Sequence, residues 1–521
     1  MRKIIALLCL VALLAAGLMM LPSCTRDDGT GKTFAFALAE SPQQLDPATA
    51  QSPDELLIIN NIFEGLVRQN TEGRITAGVA ARWYTSSDGL VYTFHFGRLN
   101  HWALNAQARA LLGDRAGDFD TQVTAYDFAF GLTRALLPET NAPGAAALYA
   151  IQNAQAVHEG RQSPGTLGIE VIDRFTLQIT LEQPNTQFLY ALTQSVAMPC
   201  NQEFFEATQG RYGLTGAHML TNGPFYINRW TENHLRLRQN EGYGGFVAPF
   251  SVNLHVQPSH AARLNTLGHD GGLDAAIVPA EFAEHIPQSA QVTRLYNATQ
   301  VLLLGMGNAR LRQAMTAALD AAEFNQDARG LLPASVQVGG EALYTLAPSP
   351  PPTGGDRAQE LFAQAGVDRV TLTFICAPEY ELLARQMLQY WQSAFGMAVT
   401  VNLEVIDQPQ QLSQRLQSGN FDLAITTMQA TSSFAVQTLE DWAGQLGHNS
   451  ARLRELLQTA RTQTDPPDIA ETLRAAEQNL LRSGVVYPLA PQASLLVVAQ
   501  GVEGFSASPV GDRVFFAEML K

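Results

Sequence analysis

Apolar positions along this chain keep two spacings, and where one gives way to the other the elements can be placed. Residues 33–38 (Thr33-Phe34-Ala35-Phe36-Ala37-Leu38) form a short apolar run that meets Pro42 and Pro47. Proline lacks an amide donor and fixes φ, so a strand here gives way to a loop. Between Pro53 and Gly65 the apolar residues Leu56, Ile59, Ile62, Phe63 and, just beyond, Leu66 recur at helical spacing, with proline at the start and glycine near the end; this predicts an amphipathic helix. After the turn Ser86-Ser87-Asp88-Gly89, Tyr92, Phe94 and Phe96 alternate with Thr93 and His95, the pattern of a strand with one aromatic face. Residues 168–172 and 175–181 flank Asp173-Arg174 as the arms of a two-residue hairpin. Residues 60–184 therefore read as mixed α and β, and the polar, Ala-rich residues 103–122 as a surface excursion with one short helix.

Thr221-Asn222-Gly223-Pro224 concentrates turn chemistry and feeds Phe225 to Trp230 and the alternating His234-Leu235-Arg236-Leu237-Arg238, so a hairpin follows a sharp turn. Past Val256 the rhythm changes to short apolar runs at residues 274–278, 301–304, 370–375, 399–403 and 421–426, with helical patterns at 310–319, 356–366 and 379–395. Strands alternating with helices predict a largely parallel sheet with right-handed crossovers. Residues 348–355 (Pro-Ser-Pro-Pro-Pro-Thr-Gly-Gly) are a connector within this region. Ligands of open α/β sheets bind outside the carboxyl ends of strands. The polar loop after residue 426 (Thr427-Met428-Gln429-Ala430-Thr431-Ser432-Ser433) is such an end, and an ordinary surface loop is its bland alternative.

At 521 residues the chain exceeds one core, so about three structural units are expected. A net charge of -15 without long basic runs argues against a nucleic-acid partner. The chain lacks HExxH, G-x-S-x-G, a phosphate loop and paired-cysteine motifs, so neither a metal nor a cofactor is expected and catalysis is a minority reading. Of four cysteines, Cys9 and Cys24 lie at the N-terminus and only Cys200 and Cys376 remain, too few for a disulfide framework. Arg2-Lys3 precede an apolar run over residues 4–21 that ends at Pro22-Ser23-Cys24, the layout of a secretory signal. Leu21-Pro22-Ser23-Cys24 resembles the bacterial lipobox, in which Cys24 is acylated; Pro22 departs from the usual small or aliphatic residue. An uncleaved membrane anchor is the alternative.

Several stretches in order resemble the oligopeptide- and dipeptide-binding proteins of ABC importers, solute-binding protein family 5: Leu45-Asp46-Pro47, Ile62-Phe63-Glu64-Gly65-Leu66, Ser87-Asp88-Gly89 with Tyr92 to Phe96, Val123 to Phe128, Thr221-Asn222-Gly223-Pro224-Phe225, Gly419-Asn420-Phe421-Asp422 and Val486-Tyr487-Pro488-Leu489. The resemblance implies an α/β, two-lobed periplasmic-binding-protein type II (Venus flytrap) fold with an extra α+β subdomain in the first lobe. Its divisions would be a signal peptide at 1–23, a tether at 24–32, a first lobe at 33–251 plus 491–521 containing a subdomain at 60–184, and a second lobe at 252–490. It further implies a lipid-anchored, extracytoplasmic, monomeric and non-enzymatic receptor that passes a peptide-like solute to an ABC permease and ATPase complex.

In such proteins the backbone of an extended ligand pairs with both lobes. The matching positions are Glu40 and Ser41 in the first lobe and Thr427, Met428, Gln429 and Thr431 in the second, with Asn222 and Gly223 at a turn beside the cleft. Family members also carry an Asp after the second strand for the ligand's amino terminus. The residues from Met428 to Phe434 contain no acid. Glu40 as substitute, a modified peptide, a sugar, or a secreted hydrolase are the alternatives.

Overall fold

The computed structural model describes residues 32–97, 99–319, 321–324, 330–346, 357–430, 432, 434–508 and 513–521. Cys24 with the expected lipobox, the proline-rich connector, Asp356 and Thr431 lie outside the described residues. Ten strands form one sheet: β1 (Thr33–Leu38), β2 (Phe225–Thr231), β3 (His234–Gln239), β4 (Ser251–Val256), β5 (Ala275–Pro279), β6 (Gln291–Leu304), β7 (Val370–Cys376), β8 (Val399–Val405), β9 (Leu423–Gln429) and β10 (Val486–Val498). Their order across it is β8-β7-β9-β6-β10-β5-β1-β4-β3-β2.

Burial divides this sheet between a first core and a group of three clusters that together make the second. One gathers residues from Phe34 to Leu295 and from Leu495 to Met519. Three others lie between Val301 and Leu489. The chain passes between the cores on the long strands β6 and β10, which pair antiparallel with register shifts between Leu295 and Ala298 and between Gln300 and Val301. On one side of the shifts β10 pairs with β5; on the other β6 pairs with β9. An irregular ladder bends and twists locally, and the change from the first core to the others falls at residues 295–301.

Val252, the expected start of the second lobe, lies in the first core. Val252, Leu254, Leu264, Leu273 and Val278 pack in the first core, because β4 lies parallel to β1 in the register Thr33↔Ser251 to Leu38↔Val256. The unit β4, helix His260–Thr266, β5 has the same strand-helix-strand rhythm as the second lobe, and rhythm alone assigned it there. The sheet is also more mixed than expected. β7 is parallel to β8 and β9, and β1 to β4 and β5, but β6 and β10 are antiparallel to each other and to their outer neighbours. A chain that leaves a lobe on one strand and returns on the adjacent one must reverse direction.

Within residues 60–184 a separate antiparallel sheet runs Ala80–Thr85, Val91–Phe96, Thr176–Thr180, Ile169–Asp173. Phe96 meets Phe128 edge-on at 5.3 Å, where one of the helices packs on it. The expected short helix of the 103–122 excursion is Ala106–Leu112, capped by Asn105, with Ala108 and Leu112 buried. Helix α1 (Pro53–Ile62) starts with a reciprocal Ser52/Glu55 capping box, and helix α2 (Ala125–Leu136) covers the small sheet. Helix α3 (Ala435–Gln445) follows β9 in the second lobe. Cys200 and Cys376 are buried free thiols in different cores, so they do not pair. Burial pushes the Cys200 thiol up to about 12.

Candidate functional site

Two adjoining cavities lie between the lobes. One of about 550 Å³ is walled by Tyr149, Glu182, Asn185 and Tyr190 of the first lobe and by Phe434, Glu440 and Arg461 of the second. Another of about 500 Å³ is walled by Pro47, Ala50 and Gln51 and by Ser432 and Gln445. Ala146, Ala147, Gln194, Gln437 and Asp441 line both, so the two share a wall, and each is of the size of a small-molecule site.

The lobes touch around this space. Thr186 donates its amide to Arg461 O at 2.8 Å and its hydroxyl to Gln463 O at 2.6 Å. Gln458 Nε2 donates to Gln183 Oε1 at 2.6 Å, and the rings of Tyr190 and Phe434 meet tilted by 43°, with centroids 4.0 Å apart. On another side, Gly73 adopts φ +81°, and a Cβ there would fall 1.7 Å from Gln337 Oε1 of the second lobe. Glycine permits this close approach.

The wall residues have a local origin. The first turn of α1 carries Asp54 and Glu55 near the positive end of the helix. Glu55 Oε1 accepts the amides of Gln43 and Gln44 at 3.0 and 3.1 Å, which folds the loop after β1 back onto the helix. Next, Asp46 is held by Arg134 at 2.8 and 2.5 Å, and its own atoms accept the amides of Ala48, Thr49 and Ala50. The turn carrying Pro47, Ala50 and Gln51 is thereby presented to the cavity.

Several anticipated contacts fall elsewhere. Glu40 and Ser41 do not line either cavity. The amides of Ala39 and Glu40 are taken by Asp54 Oδ2 at 2.7 and 2.8 Å, which leaves those donors no capacity for a ligand strand. Thr427, Met428 and Gln429 also lie off the cavity walls. Met428 points into the second core, Thr427 Oγ1 lies 3.2 Å from Tyr380 Oη, and the Gln429 carbonyl accepts the Trp442 indole N–H at 3.3 Å. Among the described residues, β9 pairs with β7 only at Leu423 and Ala424.

Asn222 and Gly223 are the clearest correction. Asn222 is 0 % exposed; its side chain accepts the Glu64 amide at 3.1 Å and donates to the Glu64 carbonyl at 2.8 Å. The Gly223 amide donates to Ile62 O at 2.9 Å. This turn fastens the end of α1 to β2 and presents nothing to the cleft. Polar residues mark turns and sites alike, and sequence alone did not separate the two.

The residues that line the cavities instead lie a few positions downstream of those expected, within 47–51 and 432–445. A signal existed: Gln437, Asp441 and Gln445 are four apart and form one polar stripe on a helix whose Ala435, Val436, Leu439, Trp442 and Ala443 are buried.

Beside the Asn222 turn, Glu64 accepts the Tyr243 hydroxyl at 2.8 Å, with Arg68 4.0 Å away. Burial raises its carboxyl above the usual glutamate value and outweighs the pull of both partners. A raised carboxylate pKa in the folded state means that the folded state holds the proton longer. Stability is then greatest below the unfolded value and falls as pH rises through the window between the two. Glu64→Gln keeps an acceptor for Tyr243, so it should flatten that pH dependence and raise the melting temperature at neutral pH. Thermal melts of both proteins from pH 4 to 8 check it.

Comparison with known proteins places this geometry. The Escherichia coli protein named probable deoxycholate-binding periplasmic protein YgiS is 26% identical over 522 residues, covering 94% of this chain and 93% of its own length. The periplasmic oligopeptide-binding protein OppA of Salmonella typhimurium is 24% identical over 515 residues, 91% of this chain and 89% of its own. In structure, Haemophilus influenzae OppA in complex with RPPGFSPFR superposes with a TM-score of 0.72 at 18% identity, covering 94% of this chain and 99% of that one. These likenesses give the two-lobed type II periplasmic-binding fold. Residues 74–450 match the model for bacterial extracellular solute-binding proteins, family 5, middle region, and the chain belongs to that family of binding proteins.

Proposed function

We propose that this protein captures a peptide-like solute in the two adjoining cavities and hands it to an ABC permease and ATPase complex, as a monomer held at the extracytoplasmic membrane face through acylated Cys24. The carrying observation is that both cavities take their walls from both lobes. A solute that touches both walls only when the lobes meet shifts the population toward the closed form, and the permease can read that form. The lobes are residues from 33 to about 295 with those from about 495 onward, and those between, with the irregular β6/β10 ladder as the hinge.

The acid missing after β9 is supplied from α3. Asp441 lies on the wall common to both cavities, with Glu440 beside it, and accepts Gln437 Nε2 at 2.7 Å. A carboxylate there suits the ammonium of a peptide's amino terminus. Asp441→Asn should weaken binding of a free-amine tripeptide by about tenfold or more and leave its N-acetylated form unaffected; isothermal calorimetry with the pair checks it. Native mass spectrometry of freshly purified protein identifies the cargo class: a retained peptide mass supports the reading, a sterol-like or sugar mass replaces the solute, and cleavage of added peptides points to a hydrolase.

A further inference from the structure

We infer that the rim formed by Leu99 and Phe246, with the arginine strip beside it, is a membrane-contact surface that seats the first lobe on anionic phospholipid. Leu99 is 72 % exposed and Phe246 71 %, on two loops that lie together. A Cβ on Gly244 would fall 2.9 Å from Leu99 Cβ, and the His101 amide donates to Gly242 O at 3.0 Å. The same rim is where the chain enters the fold. The Phe250 amide donates to Lys32 O at 3.1 Å, and Thr33 pairs with Ser251, itself opposite Arg238.

From that rim a basic strip runs across the outer face of the sheet. On β3, Leu235 and Leu237 face the first core, and alternation turns His234, Arg236 and Arg238 to the other face. Arg236 pairs in register with Arg229 of β2, and His234 with His255 of β4. The Arg238 guanidinium lies 4.4 Å over the Phe250 ring. Arginines gathered on one face of a chain whose net charge is -15 make that face the one an anionic surface selects.

An exposed aromatic and an exposed aliphatic flanked by arginines suit the interfacial layer of a bilayer. The apolar groups enter the acyl boundary while guanidinium groups reach the phosphates, and the basic residues add attraction within a Debye length. The distance also fits. From Cys24 to Lys32 an extended chain reaches about 28 Å at most, and Arg238 lies two strand spacings, about 10 Å, from Thr33. An anchor at Cys24 thus holds this rim against the membrane. The orientation argument rests on the lipoprotein reading, but the surface is testable without it.

The test uses the chain from Thr25, which keeps every described strand and core and carries no acylation site. Leu99→Cys is labelled with an environment-sensitive fluorophore; Cys200 and Cys376 are buried and do not compete. Vesicles of phosphatidylcholine containing roughly one quarter phosphatidylglycerol should give a blue-shifted emission, and phosphatidylcholine alone should not. Phe246→Ser, and separately Arg229→Glu, should each raise the vesicle concentration at half-effect about tenfold with an unchanged melting temperature. No shift on anionic vesicles, an equal shift on neutral ones, or indifference to both substitutions overturns the proposal. Failure of Cys24 acylation, read from the mass of the mature N-terminus, would remove the anchor and leave these results standing.

Discussion

Gly223→Val should lower the melting temperature of the first lobe by roughly 5–10 °C, the effect of about 3 kcal/mol of overpacking on a lobe of this size. A Cβ at position 223 would fall 2.6 Å from the carbonyl carbon of Ile62 and the nitrogen of Phe63. Those atoms are backbone at the end of α1, so no side chain can swing aside. The Gly223 carbonyl also accepts Asn240 Nδ2 at 2.9 Å and the adjacent Pro224 carbonyl accepts the Asn240 amide at 2.8 Å, which ties the turn to the loop after β3. Because the turn stands off the cavities, the folded fraction should bind its solute with unchanged affinity. Differential scanning calorimetry beside ligand titration checks both parts. A loss of affinity larger than the unfolded fraction accounts for would return Asn222 and Gly223 to the site.

Asp46→Ala should cost about 3–5 kcal/mol in urea unfolding, since it leaves the Arg134 guanidinium buried without its counter-charge. Arg134 is enclosed by Phe205 at 4.9 Å and Tyr212 at 5.5 Å, so water does not replace the lost carboxylate cheaply. Replacing both partners, as Asp46→Leu with Arg134→Met, should recover most of the loss, because the penalty belongs to the orphaned charge. Affinity should not recover with it. Asp46 Oδ1 holds the Ala48 amide at 3.1 Å, and without that bond the turn bearing Pro47, Ala50 and Gln51 loses its fixed position on the cavity wall. Recovery of both stability and affinity in the double variant would show that Asp46 acts through the ion pair alone.

The strands and helices were legible where one face is apolar and the ends are punctuated. The run at 33–38, the helix after Pro53, the aromatic alternation at 92–96 and the helix stopping at Gly396 all appear where their spacing places them. The lobe boundary was not legible, because local rhythm carries no information about which core a strand joins. β4 pairs with β1 across more than two hundred intervening residues, and only tertiary contact reveals that. The expected ligand-contact residues and the cavity walls are close in sequence without coinciding. The loops after β1 and β9 run toward the cavities, yet Asp54 holds the amide of Glu40 and Thr427 still belongs to strand β9, while α3 supplies the second wall.

Small-angle X-ray scattering of protein stripped of bound solute by unfolding and refolding, with and without a saturating pool of tri- to pentapeptides, tests the central claim most directly. Capture between lobes that close on β6 and β10 predicts a smaller radius of gyration with peptide present. An unchanged radius under peptide that calorimetry shows to be bound would contradict it.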